Sequence, residues 1–142
     1  MNSNIASEIK RVISLQQTAI QNEDITSAKI RKDRIKRAIN LIASNKEEIL
    51  ETLQVDFGFR DSGEILLAEI FGTINTLKYS KKHTKSWMRN CQRQSLQPFK
   101  FLGARTYIKY QPLGSVGVIV PWNFPINLCF GPLGSIFAAG NR

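Results

Sequence analysis

The chain has 142 residues, 42% hydrophobic and 22% charged, which is typical of an ordinary globular domain and excludes a disordered chain. Its net charge of +9 comes from one half: residues 70–142 hold ten basic residues and no acid, whereas acids and bases nearly balance in residues 1–69. The two cysteines, Cys91 and Cys129, fit neither a metal-binding spacing nor a disulfide framework, so a reducing, cytoplasmic location is expected.

The charge imbalance has two interpretations. A basic half without acids is typical of a helical module that binds nucleic acid. A piece of a longer chain, with its acidic partners elsewhere, would show the same imbalance. We favour the second interpretation and keep nucleic-acid binding as the alternative, with a non-enzymatic interaction domain as a third class.

No membrane segment is expected. Residues 1–7 lack the basic run and apolar core of a secretory signal. Residues 110–141 carry no charge and are long enough to test as a span. This run is interrupted by Pro112, Pro121, Asn123, Pro125 and Pro132. A membrane span needs about 20 predominantly apolar residues in a helix, which these interruptions prevent.

Apolar residues at helical spacing predict a first helix that ends before Asn22 and a second from about Thr26 to Ala43. The apolar face of the second helix consists of Ile30, Ile35, Ala38, Ile39 and Ile42. The basic residues between them are predicted to form a solvated face rather than to bind phosphate; they are Arg31, Lys32, Arg34 and Lys36.

Two capping boxes follow. Ser44–Glu47 predicts a third helix to about Leu53, and Asp61–Glu64 opens the longest helix, which is expected to end at Met88. One face of that helix consists of Leu67, Ile70, Phe71, Ile74, Leu77 and Lys81. His83, the single histidine, has no acid or reactive cysteine nearby in sequence, so we expect a surface histidine and no metal site.

The remaining residues change from helical to extended patterns. Residues 90–104 show neither helical nor strand periodicity and are predicted to be a linker. Apolar and polar residues alternate in residues 105–111, which predicts a strand with one face exposed to solvent. Pro112–Gly114 predicts a turn, and Val116–Val120 predicts a strand buried on both faces at the beginning of a parallel sheet. A helix can start at Pro125, so Asn123 by spacing alone is typical of a helix N-cap.

The segment Tyr110–Pro125, which reads YQPLGSVGVIVPWNFP, together with Ala138–Arg142 resembles the opening of the cofactor-binding domain of the aldehyde dehydrogenases. Asp56–Gly58 and Glu64–Phe71 further resemble the branch that acts on coniferyl aldehyde. The likeness covers about residues 25–142, and it implies an amino-terminal fragment of a longer enzyme with a mixed α/β fold. Residues 1–104 would form a helical region, and residues 105–142 an oligomerisation strand and the truncated start of the NAD(P)-binding domain.

The resemblance also implies chemistry. The side-chain amide of Asn123 would be catalytic, donating to the oxyanion formed when a cysteine thiolate attacks the aldehyde. The cleft for NAD or NADP would be lined by Ile119, Val120, Pro121 and Trp122. Coniferyl aldehyde or a related small aldehyde would be oxidised to its acid by a homo-oligomeric enzyme.

The family's nucleophile, general base and ribose-contacting lysine would lie beyond Arg142, so the fragment alone is expected to be inactive. Cys91 has no family motif around it, and Cys129 is expected to pack in an apolar helix. The glycine pairs Gly114/Gly117 and Gly131/Gly134 do not form the dinucleotide fingerprint G-x-G-x-x-G, but the family binds its cofactor without it.

Overall fold

A computed structural model describes residues 3–22 and 25–142. The helices are α1 (Ser3–Gln21), α2 (Ala28–Ser44), α3 (Lys46–Phe57), α4 (Ser62–Glu64), a π-helical segment (Ile65–Phe71), α5 (Gly72–Trp87) and α6 (Pro125–Ala139), and the strands are β1 (Cys91–Arg93) and β2 (Thr106–Ile108). The predicted helices are therefore present, together with strands, as expected of the mixed α/β class. Glu23 and Asp24, at the expected end of the first helix, lie outside the described residues.

The hydrophobic core lies between α2, α5 and α6. It consists of Ile35, Ala38, Ile42, Ile70, Ile74, Leu77 and Ala138. The apolar faces predicted for the second helix and the longest helix are largely confirmed, although Ile30 is exposed. Helix α6 approaches α5 closely at Gly134, where a Cβ atom would lie only 2.7 Å from Ser80 Oγ on α5. The position of α6 is thus set by packing on two other helices.

The inward face of the longest helix differs from the predicted face. Ile65, Glu69 and Ile70 are buried, whereas Leu67 and Phe71 are exposed. The prediction that Leu67 and Phe71 belong to the buried face is wrong, because the buried face is the one that contains Ile65, Glu69 and Thr73, which lie four residues apart. At the helix start the second capping box is confirmed in part: Asp61 Oδ1 accepts from the backbone N–H of Gly63 at 2.7 Å. The box predicted at Ser44 is wrong, since α3 begins at Lys46.

Two basic residues of α2 are buried at the carboxyl end of α6. Arg31 Nη1 donates to the carbonyl oxygen of Ala138 at 2.9 Å, and Arg34 Nη1 donates to that of Asn141 at 3.4 Å. The prediction that Arg31 and Arg34 lie on a solvated face is therefore wrong. The last carbonyls of a helix have no partner within the helix, and the negative end of its dipole favours a cation there.

The predicted linker contains a strand. Cys91–Arg93 pairs antiparallel with Thr106–Ile108, with Gln92 opposite Tyr107. The expectation that residues 90–104 lack regular structure is wrong at Cys91–Arg93, since a three-residue strand carries no detectable alternation. The strand predicted within residues 105–111 is confirmed over Thr106–Ile108.

Val116–Val120 does not form the predicted strand buried on both faces. Val116 N–H donates to Arg142 O at 2.8 Å and Arg142 N–H donates to Gly114 O at 2.9 Å, which is the hydrogen-bond pattern of parallel strands. The segment after Val116 has no backbone partner among the described residues, and Ile119 is fully exposed. The prediction fails because a strand needs a neighbour along its whole length.

The turn at residues 112–114 is tied to the end of α6. The buried side chain of Asn141 accepts from Leu113 N–H at 2.7 Å and from Gly114 N–H at 3.0 Å through Oδ1. The extended segment and α6 therefore form one unit with a defined geometry. Across residues 3–22 and 25–142, no helix has both the length and the hydropathy for a membrane crossing.

Candidate functional site

Asn123 lies in the loop that leads into α6. Its side chain is exposed, and among the described residues none hydrogen-bonds its amide. Its backbone carbonyl oxygen, in contrast, accepts from Arg60 Nη2 at 2.6 Å. The N-cap position of α6 is Phe124, so the N-cap role that spacing alone suggested for Asn123 is wrong. Arg60 therefore holds the backbone of Asn123, whereas the side-chain amide makes no hydrogen bond within the described residues.

The amino terminus of α6 is capped from a distance by Glu69. This carboxylate is fully buried, and its Oε2 accepts from the backbone N–H groups of Ile126 at 3.1 Å and Asn127 at 2.9 Å. A carboxylate is favoured here by the unsatisfied N–H groups and by the positive end of the helix dipole. Asn127 Nδ2 donates to Ala68 O at 2.7 Å, so the first turn of α6 has a second link to the π-helical segment.

Arg60 links Glu69 to Asn123. Its Nη1 lies 3.0 Å from Glu69 Oε1, and its Nη2 is the donor to Asn123 O. The Arg60 side chain is 8% exposed, and its guanidinium lies 3.7 Å from the ring centroid of Phe57 and 4.9 Å from that of Phe124. One planar, permanently charged group therefore joins the cap of α6 to the backbone of the loop.

The four residues predicted to bind the cofactor directly precede Asn123. Ile119 and Pro121 are exposed, and Val120 is half-buried. Trp122 is 64% exposed and stacks on Phe57, with ring centroids 4.3 Å apart and planes 22° apart. The predicted residues therefore form a mostly exposed apolar segment directly before Asn123, in which the Trp122 ring is held against Phe57.

These side chains fit part of a dinucleotide by their chemistry. Apolar and aromatic groups are the ones that line sites for flat rings such as those of NAD or NADP. The α6 amino terminus does not fit the pyrophosphate, because the Glu69 carboxylate already accepts from Ile126 N–H and Asn127 N–H and would repel a second anion. Phosphate recognition would need other groups.

The other residues considered from the sequence lie apart from this site. Cys129 is exposed on α6, so the prediction that it packs is wrong, and Cys91 is half-buried in β1. His83 contacts the rings of Tyr79 and Trp87, at centroid distances of 4.1 Å and 5.8 Å, and those two rings lie 6.1 Å from each other. Over the described residues, His, Cys, Asp and Glu side chains form no group that could hold a metal ion.

Sequence reasoning missed Arg60 and Glu69 as site residues. Glu69 did leave a signal, because it is an acid inside the otherwise apolar run Ile65–Phe71 and is the last acid in the chain. A carboxylate on a face predicted to be buried requires a partner. Arg60 left no comparable signal, since an arginine next to an aspartate in a short glycine-containing stretch between helices is typical of a surface loop.

Comparison with known proteins places the chain in a family. The family model described as "Aldehyde dehydrogenase family" matches residues 2–142. A coniferyl aldehyde dehydrogenase of a Pseudomonas species is 45% identical over 113 residues, which are 80% of this chain and 23% of that protein. A probable coniferyl aldehyde dehydrogenase of Caulobacter vibrioides is 37% identical over 132 residues, 92% of this chain and 27% of that protein.

The fold agrees with a solved structure. The substrate-bound state of Staphylococcus aureus AldH matches all of this chain with a TM-score of 0.84 at 28% sequence identity, over 29% of its own length. The chain spans about a quarter of the length of the relatives that it matches. Because the family model covers nearly every residue and the structural match covers the whole chain, the chain belongs to the aldehyde dehydrogenase family.

Proposed function

We propose that the chain is the amino-terminal part of an NAD(P)-dependent aldehyde dehydrogenase that oxidises an aromatic aldehyde, such as coniferyl aldehyde, to its carboxylic acid. The observation that carries the proposal is the Asn123 amide, which is exposed and unengaged among the described residues while its backbone is held by Arg60. The 45% identity to a coniferyl aldehyde dehydrogenase supports this substrate class.

In the proposed reaction, the Asn123 side chain donates a hydrogen bond to the oxygen that becomes negative when a thiolate attacks the aldehyde carbon. A neutral amide suits this task because it stabilises the anion without attracting a counter-ion. Removal of one such donor typically lowers kcat about 100-fold to 1,000-fold. The thiolate and the base that activates water for thioester hydrolysis belong to the part of the enzyme after Arg142, so we propose that the 142-residue chain alone is inactive.

NAD or NADP, when bound, supplies the hydride acceptor for the oxidation. We propose that Ile119, Val120, Pro121 and Trp122 contact its rings. Trp122 is already oriented by its stack on Phe57, so this contact would need little reordering of the side chain.

The remaining proposals concern organisation. Residues 105–142 would form an oligomerisation strand and the start of the NAD(P)-binding domain, after a helical region formed by residues 1–104. The free thiols of Cys91 and Cys129 are in keeping with a reducing cytoplasm. Nucleic-acid binding gains no support from the comparisons, since the matching family model and the relatives reported above are aldehyde dehydrogenases.

The test uses the complete gene product that contains this chain. Purified enzyme is expected to oxidise coniferyl aldehyde with NAD or NADP, and Asn123→Ala is expected to lower kcat about 100-fold to 1,000-fold. Asn40→Ala, which alters an exposed asparagine on α2, is the matched control and should leave kcat unchanged. Absence of aldehyde oxidation would contradict the proposal. If NAD and NADP also fail to protect the complete protein against unfolding, a non-enzymatic interaction domain would be favoured. Turnover by the 142-residue chain alone would contradict its proposed inactivity.

A further inference from the structure

We propose that Arg60 and Glu69 are positioning residues that set the location of the Asn123 amide. This inference rests on the proposed function of Asn123. Neither side chain would touch the substrate. They would act on catalysis by holding the two ends of the short segment from Asn123 to Asn127.

Glu69 holds the end of that segment that lies in α6. Helix α6 has Phe124 at its N-cap and Pro125 in its first turn, and no side chain within this stretch caps it. The cap comes instead from Glu69, which lies 57 positions before Ile126 and accepts from the backbone N–H groups of Ile126 and Asn127. A helix needs only a local Ser, Thr, Asp or Asn as an N-cap. A cap from another helix additionally fixes where α6 begins relative to that helix.

Arg60 holds the other end of the segment, at Asn123. It donates to the carbonyl oxygen of Asn123, the residue whose side-chain amide is left unengaged. Its other terminal nitrogen lies against Glu69, so both ends of the segment are held through a single ion pair with mutually fixed geometry. A preorganised hydrogen-bond donor needs this arrangement, in which the backbone is restrained and the donating group is not consumed by the restraint.

The inward face of the longest helix directs Glu69 toward the start of α6. Ile65, Glu69 and Thr73 lie four residues apart, and each is fully buried. The carboxylate therefore belongs to the same helix face as two other buried side chains. Glu69 lies within the π-helical segment Ile65–Phe71, and single π-turns occur often at functional sites.

The first experiment measures catalysis in the complete enzyme. Arg60→Lys keeps the positive charge beside Glu69 but cannot reach both Glu69 and the Asn123 carbonyl, so it is expected to lower kcat by about 10-fold to 100-fold per active site. KM for the nicotinamide cofactor is expected to change less than about threefold, because the cofactor contacts are kept. Glu69→Gln leaves one acceptor oxygen where Arg60 and the two N–H groups now use two, so one side of the contact loses its acceptor, and kcat is expected to fall at least as much.

The matched control is Glu64→Gln. Glu64 also lies near Arg60, with Oε1 3.9 Å from Nε, but its side chain is 53% exposed, and within the described residues no hydrogen bond joins it to α6. It should retain wild-type kcat. Active sites are titrated by the pre-steady-state burst, so a variant that folds poorly loses burst amplitude and not kcat per site. If Glu69→Gln fails to fold, Arg60→Lys decides the test, since it leaves the buried carboxylate paired.

The second experiment needs no activity and uses the 142-residue chain. In wild type, the Ile126 and Asn127 backbone amides are expected to be protected from hydrogen exchange, and the Asn123 side-chain amide should give one sharp pair of ¹⁵N–¹H signals. Glu69→Gln is expected to remove the protection. Arg60→Lys is expected to broaden or split the Asn123 signals, and Glu64→Gln should do neither.

The outcomes separate this inference from the proposed function. If Asn123→Ala lowers kcat but Arg60→Lys and Glu69→Gln retain the wild-type value per active site, the positioning inference is wrong and the proposed function stands. If Asn123→Ala also retains wild-type kcat, the oxyanion role itself is wrong. Unchanged Asn123 amide signals in Arg60→Lys would overturn the inference independently of any assay.

Discussion

Arg31 donates from Nη1 to the carbonyl oxygen of Ala138, 2.9 Å away, although 107 residues separate the two in the sequence. Its Nε also donates to Thr26 O at 2.9 Å, so one guanidinium joins the start of α2 to the end of α6. Burial, and secondly the adjacent charge of Arg34, lower the pKa of Arg31 from its usual value. The desolvation is tolerated because the end of a helix offers carbonyl oxygens that need donors.

Arg31→Met should destabilise the chain. The change leaves the carbonyls of Thr26 and Ala138 without a donor in a buried site, and the free energy of unfolding is expected to fall by about 2–4 kcal/mol. Urea denaturation followed by circular dichroism measures this. Lys36→Met on the exposed face of the same helix is the control and should change stability by less than about 0.5 kcal/mol. Equal effects of the two changes would show that the Arg31 bonds are energetically unimportant.

Gly140→Ala tests the close approach at the same place. Gly140 has φ +93°, and an added Cβ would lie 2.7 Å from Arg31 Cζ. The positive φ alone is expected to cost about 1–3 kcal/mol in an alanine, and displacement of Arg31 adds to it. Thermal unfolding provides the measurement. Gly117→Ala, where a Cβ meets no atom within 4 Å, is the comparison and should be nearly neutral. A neutral Gly140→Ala would mean that the end of α6 has another conformation.

Phe57→Leu should release Trp122. The two rings stack at 4.3 Å, and an aromatic pair contributes about 0.5–1.5 kcal/mol beyond its buried area. In a Trp87→Phe background, the remaining tryptophan emission is expected to move to longer wavelength and to become more accessible to iodide. Phe59→Leu is the control, because Phe59 is 87% exposed and touches Phe57 only edge-on, at 6.4 Å. The same shift in both variants would rule out a specific stack.

The isolated chain is expected to self-associate. Leu113 and Ile119 are 91% and 101% exposed, and after Val116 the extended segment has no backbone partner within the described residues. An unpaired extended edge with apolar side chains tends to pair with another chain. Sedimentation velocity should show concentration-dependent association that Ile119→Lys reduces. Val55→Lys, at an 82% exposed position on α3, should leave it unchanged. A strictly monomeric wild-type chain would contradict this prediction.

Much of the helical framework was predictable. The faces of α2 and of the longest helix follow from apolar residues three and four positions apart, and Ile35, Ile42, Ile74 and Leu77 are buried as this spacing requires. Asp61 caps its helix through contacts two and three residues away. These features are local, because the groups that stabilise them lie within one turn.

The buried charges were not predictable in the same way. Arg31 and Arg34 lie on a helix whose other charged residues are mostly exposed, and nothing within one turn distinguishes them. Glu69 stands out as an acid in an apolar run, but the run does not show which group it binds. Each is buried because its partner, from 57 to 107 positions away, is brought to it by packing. The exposure of Cys129 was missed for a related reason, since an apolar helical context does not say which face meets a neighbour.

By itself, the sequence determined the family and the chemistry to look for, because the segment from Tyr110 to Pro125 is a contiguous motif that needs no folding to be read. Only the tertiary structure decided that the Asn123 amide is unengaged, that Arg60 holds its backbone, and that Glu69 closes the start of α6. A motif is a property of neighbouring residues. The direction in which its amide is held depends instead on an ion pair whose members lie about 60 positions earlier in the chain and meet the loop only after folding.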